Sequence, residues 1–358
     1  MSAAHATVDL DDTDGLIEAD RDGLLRAAAT AGAAVRATAE AVDEGALAAV
    51  ADGARPRTVI WVAGRGPAES AGAILAATLA GTAVQPLVLA AHAPPWIGPL
   101  DVLVLAGDDP GDPALATAGA TAVRRGARVV VAAPYEGPLR DATAGRAAVL
   151  APRVWAPDEF GLCRYLAAGL ATLRSVDSSV RADLGTLADE LDAEALRNSA
   201  GREVFTNPAK ALAGRMSGRP CVIAGDGAAT LALARHAAAV LLRIAGYPAA
   251  AVGLADAIAA ARAGLLSGPT DSIDALFHDE EIDGPRPDLV RVIALALSAE
   301  RPVLSARLAG LDAVDLLGVQ DVGEGAPVPA ETAGVEHELA VLALRLEMAG
   351  VYLRLAAG

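Results

Sequence analysis

Residues 220–246, PCVIAGDGAATLALARHAAAVLLRIAG, decide how this chain is read. Val222–Ala224 close an apolar run too short for a helix, whereas the run 228–245 is too long for a strand and is rich in alanine and leucine, both good helix formers. Gly225 and Gly227 allow the backbone to bend where a side chain would clash, and Gly246 stands where a helix-ending C′ residue belongs. The stretch therefore predicts a strand, a tight turn and a buried helix. The same pattern occurs at 58–81, TVIWVAGRGPAESAGAILAATLAG, with Gly64 and Gly66 at the turn and Gly81 at the stop. Gly64 precedes Gly225 by 161 residues (225 − 64), so the chain reads as two related α/β units in tandem.

Outward from these stretches, strands and helices alternate. The first unit predicts strands at 58–63, 83–90, 101–106 and 127–133, with helices at 68–80 and 114–125 and the turn GDDPGDP after the third strand. Alternation of this kind implies right-handed crossovers and mainly parallel sheets flanked by helices, with ligands at the carboxyl ends of the strands. The turns at Gly64, Gly107 and Pro134 are thus the expected place for a site. The second unit predicts strand, helix and strand over 219–256, then a strand at 289–297, a helix near 302–309 and a short strand near 313–319. The domain reading is a loose, acidic N-terminus at 1–15, a first unit with leading helices at 16–156, a helical connector at 157–218, and a second unit with a C-terminal helix at 219–358. In the leading helices Gly32 and Gly45 are expected breaks. The terminal helix is apolar over most of its girth, with Arg345, Glu347 and Arg354 expected on its wetter side; such a helix is buried in its own chain or against a partner. A homodimer is expected on that ground.

The formal net charge of −16 argues against nucleic acid or an anionic membrane as partner, since both would repel the protein. Asp226, Arg235, Arg243, Asp256 and Arg262 interrupt the longest apolar region, so no run of roughly 18 uncharged apolar residues suggests a membrane span. The acidic start lacks the basic and apolar regions of a signal peptide, which points to the cytoplasm. Cys163 and Cys221 are too few for a structural zinc site and are expected as small core residues.

A strand followed by G-x-G and a helix can seat a pyrophosphate. The dinucleotide fingerprint is incomplete, however: Glu69 and Thr230 stand where a third glycine belongs, and Asp256 lies 31 residues (256 − 225) beyond Gly225 rather than about 20. No cofactor and no metal are expected; Asp112 followed by Pro113 reads as a helix cap rather than part of a metal shell.

Taken in order, VAGRGPAESAG, GARVVVAAPYEGPL, NPAKALAGRMSGRPCVIAGDG, FHDEEIDGP and LAVLALRLEMAGVYLRLAAG resemble segments of the bifunctional phosphoglucose/phosphomannose isomerase family, built from two SIS (sugar isomerase) domains. In its Ala/Gly/Arg-rich composition the chain resembles the actinobacterial TobH-like members. The resemblance spans about residues 16–358 and implies a sugar-phosphate ligand. It implies substrate-binding turns at Gly64, Gly66, Gly107, Gly225 and Gly227, an anion-holding role for Arg235, and a ring-opening catalytic role for His278, beside which Glu280 or Glu281 is the carboxylate available as a base.

The chain departs from the family at the chemistry. Ala68 replaces the serine of the first turn, Asp108, Asp109 and Asp112 stand in the turn that holds phosphate in the family, and Ile244 and Ala245 lie where the family has its isomerising glutamate. A sugar phosphate carries nearly two negative charges, which three aspartates should repel. The resemblance therefore implies a phosphosugar isomerase-like protein that is degenerate and binds a carbohydrate derivative or a partner. The alternatives are an active glucose-6-phosphate/mannose-6-phosphate isomerase and a purely structural or regulatory subunit.

Overall fold

The computed structural model describes residues 8–81, 83–266, 290–322 and 334–357. Two compact units emerge. One comprises Asp22–Arg197 and Ala333–Leu344, and the other Met1–Arg21, Asn198–Thr332 and Arg345–Gly358.

The first-named unit holds a five-stranded, all-parallel sheet in the order β2-β1-β3-β4-β5. Its strands are β1 (Thr58–Ala63), β2 (Leu87–Leu89), β3 (Asp101–Ala106), β4 (Arg128–Ala132) and β5 (Ala148–Val149). β3 is buried at every residue, because helices cover both faces of the sheet, and this explains why it reads as an unbroken apolar run. On one face Ile60, Val62, Leu103, Leu105, Val129 and Val131 meet Leu115 and Leu139 from the helices Pro113–Arg124 and Gly137–Thr143. On the other, Trp61 packs against Gly72 and Gly169 and donates its indole N–H to the Ala68 carbonyl at 3.0 Å. β2 is shorter than the expected 83–90, since Pro86 precedes it, and β5 with the helix before it was not anticipated.

The other unit holds a four-stranded parallel sheet, β7-β6-β8-β9, from β6 (Cys221–Gly225), β7 (Ala249–Gly253), β8 (Arg291–Leu295) and β9 (Val314–Leu317). Its order reproduces β2-β1-β3-β4, so the tandem reading holds at the level of topology. In both sheets the first strand is central and the chain leaves it on one side, then returns on the other. In open parallel sheets a reversal of this kind, here beside β1 and beside β6, is where ligand crevices form at the carboxyl ends of the strands. The helix Ala228–Ala245 is long and apolar enough to cross a membrane by length and composition; here it packs on β6 and β7 and carries Arg235 and Arg243.

Three local expectations change. Gly32 does not break its helix, Ala31–Asp43; a Cβ there would lie 2.7 Å from the Ala188 carbonyl oxygen, so the glycine permits close approach to the helix Leu184–Arg197. Residues 8–15 are ordered: Asp12 caps the helix Thr13–Ala19 through Gly15 N–H, and the Asp11 carboxylate accepts from Val204 N–H at 2.8 Å. In the terminal helix Val335–Ala357, Arg345 and Glu347 are buried and only Arg354 of the three expected polar markers faces solvent. Arg345 donates to the carbonyls of Gly318, Val319 and Asp321, and Glu347 pairs with His236, so side chains that looked solvated from spacing are satisfied inside. The helix is covered within its own chain, which removes the argument for a dimer from its apolar girth.

Candidate functional site

Within the five-stranded unit a cleft of about 810 Å³ lies over the carboxyl ends of β1 and β2. Trp61, Ala63 and Leu89 form part of its wall, and its polar groups are Arg65, Glu69, His92 and Asp112. Each is placed by a simple local rule. Arg65 follows Gly64 in the turn after β1, and Gly66, at φ of +90°, reverses the chain into the helix Pro67–Leu79. Glu69 lies in that helix's first turn, which has no side-chain cap. His92 follows β2. Arg65, Glu69 and His92 are exposed and make no ion pair or side-chain hydrogen bond among the described residues.

The turn after β3 separates the carboxylates by task. Asp112 accepts from Ala114 N–H at 2.7 Å and caps the helix Pro113–Arg124, as expected from Asp-Pro. Asp109 closes the turn by accepting from Gly111 N–H at 2.7 Å. Asp108 pairs with Arg164, the third residue of the helix Leu162–Val176. Gly111 N–H, Ala114 N–H and Arg164 Nη2, each of which could meet an anion, are thus taken by the turn's own carboxylates. Gly64 and Gly107 let the two turns meet: a Cβ on Gly64 would lie 3.6 Å from the Gly107 Cα.

Around Asp108 stands a buried polar cluster that the sequence reading missed. Arg164 is 9% exposed and Tyr165 fully buried, with the guanidinium 4.1 Å from the Tyr165 ring centre. Burial, then the neighbouring Asp158, push the Asp108 carboxyl up to about 6, while Arg164 and Tyr165 pull it down. Burial likewise raises the Tyr165 phenol. Arg164 Nη1 and the Tyr165 hydroxyl are buried without a well-formed hydrogen bond among the described residues. The available signal was an arginine set into the apolar helix CRYLAAGLATL, a residue type that is seldom buried without a specific partner.

In the four-stranded unit the G-x-G turn is closed on itself. Thr230 Oγ1 accepts from Gly227 N–H at 3.1 Å, and Asp226 pairs with Arg307 at 2.6 Å. Gly225 is a packing position: a Cβ there would lie 2.3 Å from Leu231 N. Arg235, to which the resemblance gives an anion-holding role, projects to solvent from the helix Ala228–Ala245 and makes no ion pair or side-chain hydrogen bond among the described residues. Ile244, near the end of that helix, is buried. His236, next to Arg235, is 2% exposed and its Nε2 lies 3.2 Å from Glu347 Oε1; burial raises the Glu347 carboxyl and His236 opposes the shift. In the five-stranded unit, which contains both residues, His337 Nδ1 lies 2.8 Å from Glu190 Oε2. His278, Glu280 and Glu281 lie outside the described residues. Cys163 and Cys221 are buried thiols rather than a disulfide, and burial pushes the Cys221 thiol up to about 12.

No family model matches this chain, and no curated protein sequence matches it. Solved structures do. Tagatose-6-phosphate ketose/aldose isomerase from Escherichia coli aligns over 98% of this chain and 94% of its own, at 14% identity and a TM-score of 0.60. The C-terminal domain of glucosamine-fructose-6-phosphate aminotransferase from Francisella tularensis aligns over 95% and 98%, at 12% identity and a TM-score of 0.58. A candidate phosphosugar isomerase from Silicibacter pomeroyi aligns over 93% and 95%, at 16% identity and a TM-score of 0.57. At such identities the likeness is one of fold. The chain has the α/β architecture of two tandem SIS-type units, each a parallel sheet flanked by helices.

Proposed function

We propose that this protein is a degenerate relative of the bifunctional phosphoglucose/phosphomannose isomerases, TobH-like in type, that binds a carbohydrate derivative in the cleft over β1 and β2 and does not interconvert aldose and ketose phosphates. The observation that carries the reading is the turn after β3. Asp108, Asp109 and Asp112 each already satisfy a donor there, so an incoming phosphate meets negative charge in place of free amides. The cleft itself offers what a polyol needs: two carboxylates, an imidazole and a guanidinium beside the apolar wall of Trp61 and Leu89. Ile244 and Ala245 supply no base at the end of the helix Ala228–Ala245, and without one the proton cannot move between sugar carbons.

A thermal-shift screen of neutral sugars, amino sugars and sugar phosphates tests the binding. A ligand at 100 times its Kd adds about 2.7 kcal/mol of stability. At least one carbohydrate should raise the melting temperature of the wild type, and Arg65→Ala/His92→Ala should abolish that shift. A shift unchanged in the double variant, or none with any carbohydrate, refutes the cleft. A coupled assay tests the chemistry: turnover of glucose 6-phosphate or mannose 6-phosphate to fructose 6-phosphate that survives repurification and vanishes in His278→Ala would establish an active isomerase instead.

A further inference from the structure

Lys210 is the only lysine among the chain's 29 lysines and arginines, and it is fully buried. Its surroundings suit an ammonium rather than a guanidinium. Nζ donates to the carbonyls of Ala200 at 2.8 Å and Arg202 at 2.7 Å and stands over the Tyr352 ring, 5.5 Å from its centre. Three rotatable donors fit that cage, whereas a planar fork of five would leave N–H groups unpaired. Other side chains hold the same loop: Asn207 Nδ2 donates to the Ser199 carbonyl, Tyr352 to the Asn198 carbonyl and Thr13 to the Ala200 carbonyl, while Asp11 accepts from Val204 N–H. All of these residues belong to the four-stranded unit. Asn198, Asn207, Lys210 and Tyr352 are fully buried, a desolvation that costs stability and whose return is the fixing of one surface loop. What they hold faces water. Arg202 and Glu203 are exposed and Phe205 is 68% exposed. Ile17, one turn beyond Thr13 on the same side of the helix Thr13–Ala19, is 60% exposed. Residues 9–21 carry six carboxylates and one arginine, and Asp14 and Glu18 are exposed and make no ion pair or side-chain hydrogen bond among the described residues.

We propose that the loop 198–207, pre-ordered by the Lys210 clasp, and the adjoining face of the helix Thr13–Ala19 form a docking surface for a cationic peptide segment with apolar anchors, carried by a partner protein. Phe205 and Ile17 are the side chains on which such anchors pack, and aromatic groups of this kind carry much of the energy of an interface. Asp14 and Glu18 form a rim that lysines and arginines of the partner meet. Because the loop is ordered before the partner arrives, little conformational entropy is lost on binding. The sign of the rim selects the occupant. A second copy seated on this face by two-fold symmetry would bring the same carboxylates against themselves, and nucleic acid or an anionic membrane would be repelled. None of these residues lines the cleft over β1 and β2, so the docking surface stands or falls independently of the carbohydrate reading.

Fluorescence anisotropy with a labelled amphipathic helical peptide of leucine and lysine tests it, beside a peptide of the same pattern with glutamate in place of lysine. The wild type should bind the lysine peptide and not the glutamate one. Phe205→Ser/Ile17→Ser should weaken binding about ten-fold, the loss expected of anchor residues. Asp14→Asn/Glu18→Gln should weaken it as well, whereas Glu136→Gln/Asp141→Asn, which removes two exposed carboxylates of the five-stranded unit, should leave it unchanged. No binding by the wild type, no loss in the Phe205/Ile17 variant, or an equal loss in the Glu136/Asp141 variant overturns the inference. So does self-association of the wild type that Phe205→Ser abolishes, since it would give the surface to a second copy. Lys210→Arg should also weaken the peptide. Should that variant not fold, hydrogen exchange reads the clasp in the wild type: Val204 N–H should exchange slowly with and without peptide, and exchange at the rate of an unprotected amide overturns the pre-ordering on which the proposal rests.

Discussion

Gly225→Ala should destabilise the four-stranded unit severely while Gly227→Ala, two residues on, should not. The ideal Cβ at Gly225 lies 2.3 Å from Leu231 N, 2.4 Å from Thr230 C and 2.7 Å from Leu231 Cα. All three are backbone atoms, so no side-chain rotation relieves the clash. Restoring ordinary contact at 3.4 Å requires the helix Ala228–Ala245 to retreat from β6 by about 1.1 Å (3.4 − 2.3), opening the packing beneath it. Overpacking typically costs about 1–3 kcal/mol, and a backbone collision belongs at the top of that range. For a unit of this size, 3 kcal/mol corresponds to a fall in Tm of about 6–12 °C. At Gly227 the nearest atoms to a Cβ are 3.8 Å away and φ is −93°, so alanine should cost no more than about 0.5 kcal/mol. Urea titration followed by circular dichroism, with scanning calorimetry for Tm, measures both. If Gly225→Ala unfolds within 0.5 kcal/mol of the wild type, or Gly227→Ala proves equally damaging, the steric argument is wrong. A stable Gly225→Ala that loses only ligand binding would instead mark the turn as a substrate contact.

Further outcomes are expected. The raised Glu347 carboxyl binds its proton more tightly folded than unfolded, so its contribution is lost as pH rises from about 4.5 through the raised value. His236→Ala, which removes the opposing partner, should therefore lose stability between pH 5 and pH 8 more steeply than His236→Ala/Glu347→Gln; equal slopes in urea titrations would contradict the buried pair. The Asp108 carboxyl should titrate near 6 by carbon-detected NMR, and Asp108→Asn should flatten the fall in stability between about pH 4 and pH 6; a midpoint near 4 would place the carboxylate in solvent. Light scattering at micromolar concentration should show a homodimer built through the SIS-type units, as the resemblance to the phosphoglucose/phosphomannose isomerase family implies, and a monomer would remove that proposal.

Much of the fold was written locally. Strand, turn and helix over 220–246 follow from the length of an apolar run and the two glycines beside it, and the recurrence at 58–81 gives the second sheet its counterpart. Asp112-Pro113 announced a cap, and the structure places Asp112 on Ala114 N–H. These features depend on contacts a few residues apart, so spacing alone carries them. What the tertiary structure decided is where charge goes. Arg345 and Glu347 look solvated on the terminal helix, yet their partners, the 318–321 carbonyls and His236, are remote in sequence. Arg164 reads as one charge in an apolar stripe, and only folding sets it against Asp108, 56 residues away. Gly32 looks like a helix breaker until the helix Leu184–Arg197 lies against it. A backbone hydrogen bond or a cap is satisfied by near neighbours, whereas a buried ion needs a counter-charge from wherever the chain returns, and that return is a property of the packed sheets and helices rather than of any stretch of sequence.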